Sequence, residues 1–439
     1  MSQVRQPPVT RTRLENGLQV VVAPRQGVPL VAVRLLVRSG ASLDPARRFG
    51  LAHLTAEAVR RGTRRRSGPK LDAEVEMLGA VLGGGVDEDA AALGLSAPLE
   101  ALPRLVDVVA DVASHPAFPP REVERLRRRE VASLAHDMDE PGVVADRATL
   151  MSAYGEHPYG HPAEGRGRDL AAVRRGDLTA FHARHWRPSR ATLLVVGPVE
   201  AEPVLAMARR RFGAWRGAPG GELEIAPAAS AVVPAVVIVD RPELSQVQVR
   251  IASAGYPRSS PDHAAGLVAG AVLGGGFTSR LMEAVRVNRG LSYGVRSAFS
   301  AGRAGGLFSF SSFTKVETAG ELVQVALDEI ARFREGGPTE EELERTRGYL
   351  CGLYPLSLET HEAWAEKLAA VELYGLGPDE VTGFDARVRA VDQAACLAVA
   401  RRWLPVERRV VVAVGPARKL EPQLSRFGPV RVVTARSVM

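Results

Sequence analysis

The two halves of the chain carry the same succession of motifs. Residues 181–188 read Phe-His-Ala-Arg-His-Trp-Arg-Pro, and an apolar run ending in Gly197-Pro198 follows. Residues 400–405 read Ala-Arg-Arg-Trp-Leu-Pro, and an apolar run ending in Gly415-Pro416 follows. The offset is roughly 217 to 220 residues, about half of the 439-residue chain, and a repeat of this kind indicates two copies of one structural unit. The chain is therefore predicted to contain two homologous domains.

Within each half, short alternating strands accompany clusters of helices, without strict alternation of strand and helix. Residues 11–23, for example, read as a hairpin with an Asn16-Gly17 turn. Such a pattern predicts the α+β class, with each domain an antiparallel sheet that has helices packed mainly on one face. We place the domains at residues 1–216 and 235–439, with a linker rich in Pro, Gly and Ala at residues 217–234.

Composition and charge narrow the class of protein. Hydrophobic residues make up 46% of the chain and charged residues 24%, which is typical of a globular protein. The net charge is +7, but no basic run is interleaved with the aromatic residues that stack on bases, so nucleic acid is not expected as a partner. The run Arg60–Arg66 is interpreted as a solvated helix end or loop, with an anion or nucleic-acid contact as the alternative.

The two cysteines and the lack of long apolar segments indicate the cellular location expected for the chain. Cys351 and Cys396 lie far apart and form neither a disulfide framework nor a zinc-knuckle spacing. Residues 1–17 contain no apolar core typical of a signal peptide, and no run of 18 apolar residues follows elsewhere. We therefore expect a cytoplasmic protein with no membrane segment.

One helical stretch in the first half has the frame of a metal motif. Gly50-Leu51-Ala52-His53 opens an amphipathic run that Gly62-Thr63 closes. This frame resembles the pitrilysin/insulinase family, which includes the mitochondrial processing peptidases. Its zinc-binding members carry His-x-x-Glu-His here, two ligands on one helical face with a general base between them. The resemblance places His53 at the first ligand, Ala56 at the base and Glu57 at the second ligand.

Two further positions of the family pattern are also changed. The third zinc ligand is a Glu roughly 75 residues further on, in a helix that ends in an acidic-Pro step, and counting back from Pro141 places Ser133 there. An edge strand of catalytic relatives carries an Asn that aligns an extended peptide, and Gly83 takes that position. With three of four catalytic groups absent, the resemblance implies no metal in this chain.

The second half keeps a long signature of the same family. Residues 274–281 read Gly-Gly-Gly-Phe-Thr-Ser-Arg-Leu, and Arg286, Gly290, Leu291 and Tyr293 follow at the family's spacing. In catalytic members the equivalents of Arg286 and Tyr293 reach the carbonyl of the substrate and the developing oxyanion. Guanidinium and phenol suit this role because both donate hydrogen bonds.

The resemblance implies a function for the chain as a whole. It predicts two halves closing like a clamshell and a non-catalytic, substrate-binding subunit of a heteromeric zinc peptidase. The zinc would belong to a homologous partner in a heterodimer, with a homodimer as the alternative. Arg286, Tyr293 and the Gly83 strand would bind the peptide.

Two alternatives stay open at the level of the sequence. The chain could be a structural or assembly protein, like the family members that became core subunits of respiratory complexes. It could also be a divergent metallopeptidase in which His53 and Glu57, at i and i+4, bind metal with Glu130 or His136.

Overall fold

The computed structural model describes residues 7–217, 225–228, 235–404 and 407–438, and these form two compact units. The first unit contains the described residues of Met1–Ser133, Pro162–Glu224 and Tyr354–Gly383. The second contains the described residues of Leu134–His161, Ile225–Leu353 and Phe384–Met439. None of the helices in these described ranges is long and apolar enough to cross a membrane.

Each unit is built on one six-stranded sheet. The strands, in chain order, are β1 (Thr10–Arg13), β2 (Gln19–Pro24), β3 (Leu30–Val37), β4 (Gly83–Val86), β5 (Ala91–Pro98), β6 (Ala191–Gly197), β7 (Ala235–Asp240), β8 (Gln246–Gly255), β9 (Val295–Ala301), β10 (Gly306–Lys315), β11 (Val410–Gly415) and β12 (Val430–Thr434). The α-helices are α1 (Leu51–Val59), α2 (Gly68–Met77), α3 (Leu102–Ser114), α4 (Pro120–Asp137), α5 (Pro141–Tyr154), α6 (Gly167–Ala172), α7 (Arg175–His185), α8 (Ala201–Phe212), α9 (His263–Gly274), α10 (Arg280–Met282), α11 (Ala319–Gly336), α12 (Glu340–Leu353), α13 (His361–Tyr374), α14 (Phe384–Arg389), α15 (Gln393–Trp403), α16 (Ala417–Leu424) and α17 (Ala435–Val438).

The two sheets share one topology. The strand order is β1-β2-β6-β3-β5-β4 in the first unit and β12-β7-β11-β8-β10-β9 in the second. Five strands of each sheet correspond in position, from β2 to β4 in the first order and from β7 to β9 in the second. The sixth strand is β1, which precedes β2 in the chain, in the first sheet and β12, the last strand of the chain, in the second. The predicted α+β class with two homologous domains is confirmed.

The sheets are mixed, whereas the prediction was antiparallel. β2 runs parallel to β6, and β7 runs parallel to both β11 and β12, while the other neighbours are antiparallel. A parallel pair needs a long crossover connection, and these strands are distant in the chain. Local alternation of apolar residues does not reveal the direction in which distant strands pair.

One helix of the first unit comes from the second half of the chain. α13 packs against β3 and β6, and its Trp364 and Leu368 lie in a buried cluster with Leu36 and Val196. The guanidinium of Arg25 holds the start of this helix, because its Nη2 donates to the carbonyls of residues 358 and 359. Helices α3 and α8 also pack on this sheet.

The second unit receives a helix from the first half in return. α5 packs against β8 and β11, with Val144 and Ala148 buried against Val412. Arg250 of β8 donates to Asp146 of this helix at 2.6 Å. α5 and α13 begin at residues 141 and 361, which are 220 residues apart. This separation matches the offset of the sequence repeat, so the two exchanged helices occupy equivalent positions in the two halves of the chain.

The exchange affects both strand burial and domain boundaries. Because helices lie on both faces of the sheets, strands such as β11 are buried on both sides and read as continuous apolar runs. The predicted division placed residues 1–216 in one domain and 235–439 in the other. In the structure, α5 from the first half belongs to the second unit, and α13 from the second half belongs to the first unit. An amphipathic pattern shows that a helix has an apolar face but not which sheet covers it.

Most of the predicted linker, residues 217–234, lies outside the described residues. The short described part, residues 225–228, runs along the second unit. There the amide of Ala228 donates to the carbonyl of Ala304 at 2.8 Å, and Ile225 packs on a buried apolar cluster.

Candidate functional site

Helix α1, which carries the changed metal motif, begins at a carboxylate cap. Gly50 precedes it with a φ of 95°, where a Cβ would lie 2.6 Å from the carbonyl oxygen of Glu164. Because Gly50 has no capping side chain, the carboxylate of Asp44 accepts from the amides of Gly50 at 2.6 Å and Ala52 at 2.7 Å. Burial raises the pKa of Asp44 to about 7. This cap orders the first turn of α1, which contains His53 directly after the capped residue Ala52.

His53 contacts helix α4. Its Nε2 lies 3.4 Å from Oε2 of Glu130, and the two side chains are 18% and 16% exposed. Hydrogen bonding by His53, with a further contribution from Arg129, lowers the pKa of Glu130 to about 2, so this carboxylate is ionised at neutral pH.

The residue of α4 that faces the motif is therefore Glu130, whereas the sequence prediction placed Ser133 at the third-ligand position. Ser133 is exposed, about one helical turn further along. Counting back from Pro141 assumed the family's spacing between the ligand and the proline. A shift of three residues keeps the same helical face, so the pattern alone does not distinguish the two positions.

Glu57, at the second-ligand position, is enclosed by three arginines, which we call the arginine cluster: Arg60, Arg61 and Arg129. The carboxylate of Glu57 is 14% exposed and accepts a hydrogen bond from Arg60. The Nη2 atoms of Arg61 and Arg129 lie 3.5 and 3.6 Å from its Oε2. Burial lowers the pKa of Arg60, whose Nη1 also donates to the carbonyl of Leu82 at 3.1 Å.

A catalytic zinc does not fit these residues. Zinc takes three protein ligands and an open position, and His53 and Glu130 supply two at most. The carboxylate of Glu57 is bound by the arginine cluster, whose positive charges oppose a dication. The base position is the buried methyl group of Ala56. Across the described part of the chain, no group of three or more His, Cys, Asp or Glu side chains could hold a metal ion.

Two other residues from the sequence analysis, His136 and Arg66, lie beside carboxylates of nearby side chains. His136 is exposed in the last turn of α4, where its Nδ1 lies 4.0 Å from a carboxylate oxygen of Asp139. Arg66, in the basic run, is 13% exposed and donates to Glu74, Asp107 and Asp111 at 2.5 to 2.7 Å. This end of the run is bound by acidic residues of the same unit.

Gly83 begins β4, the edge strand of the first sheet. It pairs with Gly94 of β5, and no strand of the described chain pairs with the other side of β4. An edge of this kind can accept an extended peptide by backbone hydrogen bonds. At Gly83 it offers no side chain for anchoring that peptide.

Arg286 and Tyr293 lie together in the second unit. The Cζ of Arg286 is 4.4 Å from the ring centre of Tyr293 and 5.5 Å from that of Phe277. Tyr293 is 76% exposed and Phe277 is 77% exposed. Among the residues that the structure describes, the guanidinium of Arg286 has no ion pair or hydrogen bond. Its donors are therefore available to a ligand.

The signature itself holds this pair in place. Glu283–Val287 forms a π-helical turn, a feature frequent at functional sites. Gly290, with a φ of 60°, follows the turn, and Thr314 Oγ1 donates to the carbonyl of Leu291 at 2.7 Å.

Arg280 of the same signature has a structural role. Its Nε and Nη2 donate to the carboxylate of Glu342 at 2.6 and 2.7 Å, and Nη2 also donates to the carbonyl of Gly337 at 2.9 Å. This guanidinium joins the start of α10 to the start of α12.

Sequence reasoning missed two parts of the site. Arg60 and Arg61 follow Glu57 at i+3 and i+4, the spacing that brings side chains together on a helix, so a local signal existed. Arg129 lies on another helix and carried no such signal. Phe277 was not singled out, although its position inside the Gly-Gly-Gly-Phe-Thr-Ser-Arg-Leu motif placed it near Arg286 in sequence.

Two family models match the chain. The one described as Insulinase (Peptidase family M16) matches residues 20–166, and the one described as Peptidase M16 inactive domain matches residues 172–350. An uncharacterized zinc protease of Mycobacterium tuberculosis (strain ATCC 25618 / H37Rv) is 28% identical over 94% of this chain and 95% of its own length. The mitochondrial-processing peptidase subunit beta of Bos taurus is 24% identical over 94% of this chain and 86% of its own length.

Solved structures share the fold. A peptidase M16 inactive domain from Pseudomonas fluorescens has a TM-score of 0.88 and 26% identity, covering 93% of this chain and 98% of that one. A protease from Helicobacter pylori has a TM-score of 0.86 and 19% identity, covering 93% of this chain and 100% of that one. The second likeness supports the fold alone.

Proposed function

This chain belongs to the insulinase family of peptidases, family M16, and on that basis we propose that it is a non-catalytic, substrate-binding subunit of a heteromeric zinc peptidase. A homologous partner would supply the zinc and the general base. This chain would bind the peptide and contribute Arg286 and Tyr293 to its hydrolysis.

The observation that carries the proposal is the pairing of Arg286 with Tyr293. The two groups are adjacent, the phenol is exposed, and the guanidinium has no other charged or hydrogen-bonding partner within the described ranges. Both donate hydrogen bonds, which suits them to a peptide carbonyl oxygen that gains negative charge. Losing one such donor typically lowers a rate by about 100- to 1000-fold.

The first unit supports the non-catalytic part of the proposal. Glu57 is bound by the arginine cluster, and Ala56 cannot accept a proton. His53 and Glu130 instead form a contact that joins α1 to α4. The bovine relative is by name one subunit of a processing peptidase, which supports an assembly of more than one chain.

Peptide hydrolysis by reconstituted mixtures tests the proposal. An unstructured peptide is incubated with this chain, with a zinc-bearing homologue from the same cell, and with both. We expect the chain alone to be silent and the mixture to exceed the homologue alone. Arg286→Ala and Tyr293→Phe should each lower the rate of the mixture by about 100-fold or more. Arg289→Ala is the matched control, because Arg289 is 56% exposed and pairs with Glu321.

Each contrary outcome points to one alternative. Full activity of mixtures containing Arg286→Ala and Tyr293→Phe would indicate a structural or assembly role. Chelator-sensitive hydrolysis by this chain alone would indicate a divergent metallopeptidase based on His53 and Glu57.

A further inference from the structure

A cavity of about 640 Å³ lies in the first unit, above β3, β5 and β4 and beside the start of α13. Gly83, Gly85 and Gly94 form much of its floor, and Arg34 and Glu362 supply charged groups to its lining. A cavity of this size with few charged groups in its lining is typical of a ligand pocket.

The floor follows one row of residues across three strands. Arg34 pairs with Gly94, and Gly94 pairs with Gly83, both in antiparallel ladders, so the three lie on the same face. Neighbouring strands are about 4.8 Å apart, which puts Gly83 roughly 10 Å from the strand of Arg34. Because two glycines complete the row, no side chain fills the space between Arg34 and the open edge.

Arg34 is a charged group without a partner. Its Nε is buried and has no hydrogen-bond partner, and no carboxylate in the described chain lies within ion-pair distance of the guanidinium. Glu362 is exposed and does not pair with it. A buried, unpaired guanidinium nitrogen is unfavourable, so a carboxylate brought into the cavity would gain a charge-assisted hydrogen bond.

We propose that this cavity is a specificity pocket for an acidic side chain of an extended peptide bound along β4. The inference rests on the proposed peptide-binding function and adds a side-chain preference to it. In a strand added to β4, alternate side chains point to the face that Gly83 and Gly94 share. One of them lies over the glycine floor, and its carboxylate pairs with Arg34.

The glycines provide variants that fill the pocket without disturbing the sheet. A Cβ at Gly85 would meet nothing within 4 Å, and one at Gly94 would make an ordinary contact of 3.9 Å with the carbonyl of Val33. Gly85→Val and Gly94→Ala should therefore keep the wild-type melting temperature while reducing the space for a ligand.

Binding of three fluorescent peptides to the full chain tests the pocket. The peptides are unstructured and differ at one position, which is Glu, Gln or Lys. We expect the Glu peptide to bind about 10- to 100-fold more tightly than the Gln peptide. Arg34→Gln should abolish that difference, and Gly85→Val should weaken the Glu peptide. Arg296→Gln, an exposed arginine on edge strand β9 of the second sheet, is the control and should change nothing.

The possible failures are distinguishable. If none of the three peptides binds, the peptide-binding function itself fails. If all bind equally and Arg34→Gln changes no dissociation constant, the pocket is overturned while peptide binding stands. Equal weakening of all three peptides by Arg34→Gln would also overturn it, because the arginine would then support the strand rather than select a side chain.

Discussion

Replacing Glu57 with Gln tests whether the arginine cluster, rather than a metal, stabilises the changed motif. Gln keeps the size of the side chain but removes the negative charge that faces Arg60, Arg61 and Arg129. The side chains of Glu57 and Arg60 are 14% and 16% exposed, so Arg60 would remain largely buried without its counter-charge.

The expected loss lies between two limits. Removing one partner of a fully buried ion pair costs about 3–5 kcal/mol, and exposed pairs contribute about 0–1 kcal/mol. Arg129 is 57% exposed and Arg61 is 27% exposed, and Gln can still accept a hydrogen bond from Arg60. We therefore expect Glu57→Gln to lower the free energy of unfolding by about 2 kcal/mol, roughly a 30-fold change in the folding equilibrium.

Urea unfolding followed by tryptophan fluorescence measures this loss. Of the four tryptophans in the chain, Trp186, Trp215 and Trp364 belong to the first unit, so the signal reports mainly on the unit that contains Glu57. Glu124→Gln is the control, because Glu124 is an exposed acid on α4 that also accepts from two arginines. It should leave the urea midpoint close to that of the wild type.

Unfolding in the presence of a chelator or of added zinc tests whether a metal stabilises the motif instead of the arginine cluster. With the arginine cluster in place, neither should move the midpoint of the wild-type protein. If zinc raised that midpoint and Glu57→Gln abolished the increase, Glu57 would be a metal ligand and the reasoning would be refuted. An unchanged midpoint for Glu57→Gln would also refute it.

Three further predictions concern stability and peptide binding. Burial, together with the charge of Arg190, lowers the pKa of His185 from 6.5 to about 4. Between these values the unfolded chain binds the proton and the folded chain does not, so His185 lowers the free energy of unfolding by up to about 3 kcal/mol on acidification from pH 6.5 to 4. Because the raised pKa of Asp44 acts in the opposite sense over the same range, this contribution is measured as the difference between the wild type and His185→Gln in urea titrations. Trp364→Ala removes a buried indole between α13 and the first sheet and should cost about 3–5 kcal/mol in the same assay. Gly83→Asn places a side chain in the space between Arg34 and the open edge, where a Cβ makes only a 3.7 Å contact with the carbonyl oxygen of Gly94, and should weaken binding of the Glu peptide about tenfold in a fluorescence titration.

Each of these has a matched comparison. The difference in unfolding free energy between the wild type and His185→Gln should change by that amount between pH 6.5 and 4, and a difference that stays constant with pH would contradict the assignment to His185. Trp364→Phe should lose less stability than Trp364→Ala, and equal losses would contradict the packing argument. Gly84→Asn should destabilise the sheet, because a Cβ there would lie 2.5 Å from the carbonyl oxygen of Ala92. Unchanged binding of the Glu peptide by Gly83→Asn would show that the space between Arg34 and the open edge is not used.

The local parts of the site were accessible from the sequence, and the long-range parts were not. Arg286 and Tyr293 are seven residues apart in one signature, and the structure places their side chains together. The third-ligand position on α4 was placed at Ser133, whereas Glu130, which the sequence analysis named only in the metallopeptidase alternative, contacts His53. Motif spacing leaves a helical turn of ambiguity between the two positions. Arg129 had no sequence signal for its contact with Glu57, since the two lie on different helices.

The sequence by itself determined the repeat, the α+β class and the chemical identity of the changed motif, because each depends on residue types and on spacing along the chain. Only the tertiary structure decided that α5 and α13 exchange between units, that β2 pairs parallel to β6, and that three arginines surround Glu57. The physical reason is that periodicity records which face of an element is apolar. The partner of that face is chosen by packing between segments that are far apart in the chain.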